Sequence, residues 1–371
     1  MKAALWLRIM AVTALAATAC ASGNPSATKP GASSGTQKVC RAVQPVPHFP
    51  ASAPSNSNLV LGTLLGSDRT VVRDVTDITH PKTIITSAIG SLIPRFASGT
   101  DVSYVDQSGS LMRLDLTGPS TTAVGPCVGF YDWSPDGTTA VYLTQSNSAL
   151  ALHQVKAGQD RVLDSMPPVP AAGCGSQTCA DRFDYRLSFS PDGAFISLVE
   201  NWGGPVFRLW NTDGTLVKTI DASALAGAEP PTMSAWSGKS LYFRDANGVE
   251  VWRDGAISSF LSGVKWIRPK ASPGGGQIVY AARDSAGWAH AFLVDISSAQ
   301  VRDLGKGRFE PAFLTPTLIW YKGERACVPA DSCDPSLPVI ASGTTYIYDL
   351  QDSTETESRI TSVADVWPHP A

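Results

Sequence analysis

The sequence predicts an all-β protein, and three observations carry that expectation. Charged residues make up 16% of the 371, well short of the roughly 25% of an average soluble chain, which disfavours long solvated helices and coiled coils. The 32 Gly and 27 Pro are scattered among Val, Thr, Phe, Tyr and Trp, the pattern of short strands separated by tight turns. One turn motif recurs along the chain at near-regular intervals. The net charge of −3 and the lack of any Lys/Arg run remove the attraction that dominates nucleic-acid affinity, so DNA and RNA are not expected partners.

The N-terminal residues fix a compartment. Lys2 and Arg8 form a basic region, Ile9 to Ala19 an uncharged stretch of eleven, and small residues then precede a cysteine, the layout of an export signal. A membrane-spanning helix needs about 20 apolar residues, and Arg8 cuts this one short. The run Ala17-Thr18-Ala19-Cys20 resembles the lipobox of bacterial lipoproteins, in which the cysteine receives the lipid and becomes the mature N-terminus. The family prefers Leu where Ala17 stands. The resemblance implies a leader over residues 1–19 and lipidation of Cys20. Residues 21–38 hold Ser, Gly, Ala, Thr and Pro with no large apolar side chain, too little to bury against their conformational entropy. Residues 20–38 are therefore expected to tether a single folded domain, residues 39–371, to the outer side of a bacterial cell membrane.

Setting Cys20 aside leaves Cys40, Cys127, Cys174, Cys179, Cys327 and Cys333, an even number in an exported chain. Cys174 and Cys179, and Cys327 and Cys333, each sit in a Gly/Pro/Ser-rich loop that a local bridge would close, and Cys40 with Cys127 is left by elimination. Zinc is the competing reading, but it favours paired cysteines with histidines nearby, and no histidine is close to either pair. No metal or cofactor is expected.

The domain repeats a unit: a strand ending in an aromatic residue, a Ser-Pro-Asp-Gly turn, an apolar strand, a further strand and a closing one. The clearest copies begin Phe189-Ser190-Pro191-Asp192-Gly193 and Trp133-Ser134-Pro135-Asp136-Gly137. Weaker ones follow Phe96, Trp236, Ala271 and Phe313. Proline presets φ at the first corner, Asp bonds its own downstream backbone and Gly supplies positive φ, so the motif reads as a hairpin device rather than a site. The markers step by 37, 56, 47, 35 and 42 residues, near the ~40–45 of a four-stranded propeller blade; the longest interval carries an insertion, Met166 to Asp184. These residues resemble the WD40-like, TolB-type (PD40) β-propeller repeats from about Leu59 onward. The resemblance implies architecture with more force than activity, because propellers host many unrelated functions.

Candidate innermost strands are Ile93 to Phe96, Val128 to Trp133, Tyr185 to Phe189, Thr232 to Trp236, Val264 to Ile267 and Phe309 to Phe313. Val363 to Trp367 reads as a seventh with no blade after it, while residues near 59–65, 70–74 and 83–87 give three strands lacking an inner one. The C-terminal strand is therefore expected to complete the N-terminal blade, closing seven blades, with six the next-best count.

Catalytic signals are few. His48, His80, His153, His290 and His369 stand isolated. No G-x-S-x-G elbow occurs, so the resemblance does not extend to propeller-bearing prolyl peptidases, and Asp136 and Gly137 are adjacent where the sialidase Asp-box spaces them. Asp101, Asp106, Asp132, Asp184, Glu200 and Glu310 are the candidate blade-top carboxylates for metal or acid/base work. Trp133, Trp236 and Trp367 recur at equivalent places and read as blade packing, whereas Trp202, Trp288 and Tyr131 fall in or near loops as candidate partner anchors. The expectation is a monomeric, lipid-anchored, non-catalytic binding or scaffold module for a protein or cell-envelope partner. A lactonase-like enzyme or small-ligand binder working through the central channel is the alternative.

Overall fold

Seven antiparallel sheets of four strands each make up the computed structural model, which describes residues 58–367 apart from 64–69, 88–91, 107–108, 118–119, 127, 146–149, 167–185, 202–204, 222–233, 329–330 and 332–338. The expected leader, Cys20, the tether, Cys40, Cys127, Cys174, Cys179, Cys333 and Trp202 lie outside the described residues. Blade 1 holds β1 (Leu59–Thr63), β2 (Thr70–Asp74) and β3 (Lys82–Ser87); blade 2 holds β4 (Leu92–Ser98), β5 (Asp101–Val105), β6 (Leu111–Asp115) and β7 (Thr121–Gly125). Blade 3 runs β8 (Val128–Trp133), β9 (Thr139–Gln145), β10 (Leu150–Lys156), β11 (Gln159–Met166), and blade 4 runs β12 (Arg186–Phe189), β13 (Phe195–Asn201), β14 (Pro205–Asn211), β15 (Leu216–Asp221). Blade 5 is β16 (Ser234–Ser237), β17 (Ser240–Arg244), β18 (Gly248–Arg253), β19 (Ala256–Ser262), and blade 6 is β20 (Ile267–Ala271), β21 (Gln277–Arg283), β22 (Ala289–Asp295), β23 (Val301–Lys306). Blade 7 is β24 (Arg308–Phe313), β25 (Leu318–Ala326), β26 (Val339–Asp349) and β27 (Glu355–Ser358), and the last strand is β28 (Asp365–Trp367).

That last strand goes where the sequence places it. β28 pairs antiparallel with β1, matching Leu59 to Trp367 and Leu61 to Asp365, so blade 1 reads β28-β1-β2-β3. The ring closes and blade 1 gains its inner strand, which removes an unpaired edge. Packing closes it as well. The buried apolar side chains fall into seven clusters, and each joins two neighbouring blades. The one between the last and first blades unites Val60 with Ala312, Trp320, Ile347 and Ile360.

The turn motif explains the strand spacing. Ser134 Oγ donates to Asp136 Oδ1 at 2.5 Å and accepts from the Thr139 amide at 2.9 Å, while Gly137 N donates to Ser134 O at 2.8 Å. The second copy repeats this with Ser190, Asp192, Gly193 and Phe195. Gly137 has φ +67°, and a Cβ there would run into the Ala97 carbonyl oxygen of the preceding blade, so glycine is required twice over. The aromatic marker also has a fixed partner. Trp133 Nε1 donates to Ser103 Oγ and Trp236 Nε1 to Ser197 Oγ, both at 2.8 Å, so each indole reaches a buried serine on the second strand of the blade before it.

One inner strand differs from expectation. The sequence places the innermost strand of blade 6 at Val264 to Ile267, but it runs Ile267–Ala271. Arg268, Pro269 and Lys270 read as a strand breaker with charges. They are tolerated because an innermost strand has an open edge toward the axis, where proline needs no partner and charges face the channel. The loop that holds Cys327 and Cys333 is bounded closely: β26 pairs with β25 as far as Ala326 opposite Val339.

Candidate functional site

The innermost strands β28, β4, β8, β12, β16, β20 and β24 surround a cavity of about 150 Å³. In the six marked blades the residue immediately before the marker lines it, Arg95, Asp132, Ser188, Ala235, Lys270 and Ala312, and in blade 1 the same place is taken by Asp365, two residues before Trp367. Arg186, two residues before Ser188 on the same strand, and Ser234 join them. The period of two along a strand puts Arg186 and Ser188 on one face, and the ring brings the inner strands of seven blades together.

The two aspartates have a structural task. Asp365 Oδ2 accepts from the Phe96 amide at 2.9 Å, and Asp132 Oδ2 from the Phe189 amide at 2.8 Å. Each carboxylate thus satisfies an open-edge N–H of the following blade, a group that would otherwise lack a strand partner. Arg95 lies between them in the ring, its Nε 3.7 Å from Asp132 Oδ1 and without a hydrogen bond of its own. Burial works against the charge on Arg95, but Asp132 and Asp365 outweigh it and raise its pKa.

Lys270 is placed differently. Its neighbours in the column are Ala235 and Ala312, and no carboxylate of the described residues pairs with it. Burial, then the positive charges of Arg186 and Arg95, pushes its ammonium down to about 7. Arg186 donates from Nη1 to the Ser234 carbonyl at 3.1 Å, and burial followed by repulsion from Arg95 lowers its pKa to about 10.

Backbone irregularity accompanies several inner strands. β4, β20 and β24 each carry a register shift across an X-Pro pair, between Leu92 and Arg95, between Ile267 and Lys270 and between Phe309 and Ala312. In β20 and β24 the residues before the prolines, Arg268 and Glu310, have φ of 51° and 52°, a left-handed conformation that costs a non-glycine residue energy. Their side chains form an ion pair, and Lys322 Nζ holds the other Glu310 oxygen at 2.5 Å. Bulges of this kind re-aim side chains next to sites, and here they deliver Lys270 and Ala312 to the cavity.

The other sequence candidates disperse. Asp101 pairs with Arg113 at 2.9 Å, and Asp106 accepts from the Ser110 amide within a turn. Asp184 and the Glu200 side chain lie outside the described residues. Glu310 is held by Arg268 and Lys322. His153 stacks on Tyr142 and contacts Asp160 at 3.1 Å, and His290 sits between Asp284 and Asp303. Among the described residues, no three of His, Cys, Asp and Glu are arranged to hold a metal ion.

Tyr131, expected as a partner anchor, requires correction. It is 2% exposed, donates to the Ser103 carbonyl at 2.8 Å and belongs to the core between blades 2 and 3; its burial raises the phenol pKa. Trp288 is half-buried in the turn after β21, with Lys306 Nζ 4.6 Å from its ring centre.

Sequence reasoning missed Arg95, Arg186, Lys270 and Asp365. Part of the signal was present: aligning the copies on their marker residues and reading the preceding column would have found Arg95 and Lys270.

No protein-family model and no curated protein matches the chain. Solved structures do. A prolyl endopeptidase structure superposes with a TM-score of 0.54 at 11% identity, covering 82% of this chain and 49% of that one. Oligogalacturonate lyase from Vibrio parahaemolyticus gives 0.50 at 10% identity, covering 81% and 84%. TolB from Acinetobacter baumannii gives 0.46 at 14% identity, with 84% of this chain aligned to 64% of that one. What is shared is the propeller fold. At these identities the likeness carries no activity across, and this chain spans about half of the peptidase, 49%.

Proposed function

We propose that this chain is a lipid-tethered, extracytoplasmic propeller that works as a monomeric, non-catalytic binding module for a protein or cell-envelope partner. The observation that carries the reading is the closure of the ring, by β28 on β1 and by seven inter-blade cores. A closed ring holds its connecting loops in fixed positions, so a partner that docks on them spends less free energy on ordering.

The connection between β25 and β26 supports the same reading. The two strands stay paired to Ala326 and Val339, carrying Cys327 and the 48% exposed Val328 beyond the pairing. Arg325 grips Asp331 with two hydrogen bonds of 2.6 and 2.8 Å, and Asp331 also accepts from the Val328 amide. Those bonds, Arg325 first, hold the Asp331 carboxyl down at about 2. A bridge from Cys327 to Cys333 would staple this tip, and one from Cys174 to Cys179 the insertion in blade 4's approach.

Two experiments test the proposal. Cys20→Ser should move the protein from the membrane to the soluble fraction and abolish labelling by a radioactive fatty acid; retention with label intact refutes the anchor. Deleting residues 327–338 or 167–185 should remove a defined cross-linked partner recovered with the intact protein. Cross-linking unchanged by both deletions refutes the assignment of these loops.

A further inference from the structure

We propose that the central cavity is a binding site for a small free oxyanion, of the carboxylate, sulfate or phosphate class, held by Lys270 across the ring from Arg95 and Asp132. The proposal goes beyond the binding-module reading and does not rest on it.

The charges motivate it. Three cations, Arg95, Arg186 and Lys270, face the cavity against two carboxylates, Asp132 and Asp365. Both carboxylates already accept backbone amides, and Arg95 lies between them in ring order. What remains is Lys270, flanked in the ring by Ala235 and Ala312 and without an ion-pair partner among the described residues. A half-buried ammonium without an ion-pair partner is disfavoured, and a bound anion is the partner that relieves it.

The backbone points the same way. Lys270 reaches the cavity through a strand that accepts a left-handed Arg268, a proline and a register shift to place it there. Strain of this kind clusters at ligand sites. Size narrows the ligand: about 150 Å³ is roughly five water volumes, below the ~300 Å³ at which drug-sized pockets begin. A four-carbon dicarboxylate or a tetrahedral oxyanion suits that space.

Lys270 makes the binding pH-linked. The groups around it are Arg186, Arg95, Arg268 and Asp365, with Asp132 across the ring, and the ammonium titrates at about 7 in the empty protein. An anion beside it raises that value, so binding at about pH 8 takes up a proton and affinity falls as pH rises through the empty-site pKa.

The test uses the full-length protein in detergent, titrated with sulfate and with succinate, neither of which takes up a proton near pH 8. Trp133 and Trp236 line the cavity, so their fluorescence reports occupancy, and calorimetry in two buffers of different ionisation heat counts protons. The wild type should bind at least one of the anions at millimolar or lower concentration with proton uptake. Lys270→Arg should bind without uptake, and Lys270→Met should bind at least about tenfold more weakly, a factor worth about 1.4 kcal/mol. If Lys270→Met fails to fold, the uptake comparison between wild type and Lys270→Arg decides alone. Unchanged affinity in a folded Lys270→Met, equal uptake in Lys270→Arg, or no response to either anion overturns the proposal. A response to an acidic peptide with none to either small anion overturns it too. Loop deletions that abolish partner docking leave this result untouched, so the two readings fail separately.

Discussion

Arg95 and Lys270 occupy the same column of the ring, one residue before the marker of their blades, yet they live in opposite surroundings. Arg95 stands between Asp365 and Asp132; Lys270 stands between Ala235 and Ala312. Burial disfavours both charges. For Arg95 the carboxylates overcome it and the pKa rises, whereas for Lys270 nothing does and the ammonium is held down at about 7. Position in a fold does not decide whether a buried cation is structural or available; its neighbours in the ring do.

Four measurements would break or sharpen that contrast. The largest effect is expected from truncation before Val363, which removes β28, takes Asp365 from the flank of Arg95 and reopens the edge of β1. Urea denaturation should show a loss above about 4 kcal/mol or a non-cooperative transition, and unchanged stability would show that closure contributes nothing. Arg95→Met comes next. Leaving two carboxylates without their cation should cost roughly 3–5 kcal/mol, and a neutral outcome would mean that the backbone amides alone satisfy Asp132 and Asp365.

Lys270→Met should have the opposite sign. The folded pKa of Lys270 lies below the ~10.4 of the unfolded chain, so the folded state binds fewer protons between the two values. The penalty is full below about pH 7 and disappears as pH rises toward about 10. The substitution should therefore stabilise the anion-free protein by on the order of 2 kcal/mol at or below neutral pH, and flatten the rise in melting temperature across the alkaline range. A wild type whose stability falls across that range would contradict the assignment. The smallest effects belong to the turns. Ser134→Ala and Ser190→Ala each remove a side-chain bridge across one hairpin and should cost about 1 kcal/mol apiece by thermal melts, away from the ring of charges and equal within error.

Much of the architecture was legible because local chemistry specifies it. Ser134-Pro135-Asp136-Gly137 and its second copy at Ser190 announce a tight turn, Trp133 and Trp236 mark the strand before it, and the marker spacing gives the blade. Closure was legible from a mismatch, three strands at one end and one strand at the other. The inner strand of blade 6 was not, because Arg268-Pro269-Lys270 violates every local rule for a strand and only the open channel makes it acceptable. The site was hidden for the same reason. Arg95, Lys270 and Asp365 look like isolated surface charges until the ring sets them side by side, and no single copy of the repeat contains more than a fragment of the cavity. Tyr131 misled in the other direction: an aromatic near a loop turned out to be buried, its hydroxyl engaged by the Ser103 carbonyl.

The pairing of Leu59 with Trp367 also dictates an order of events. A chain that emerges from its N-terminus delivers β1 long before its partner exists, and more than three hundred residues must follow before that strand is covered on both sides. Contacts so distant in sequence are slow to form. Sealing thus waits on the synthesis of Asp365, and a polypeptide halted short of it would present β1 to whatever meets it first.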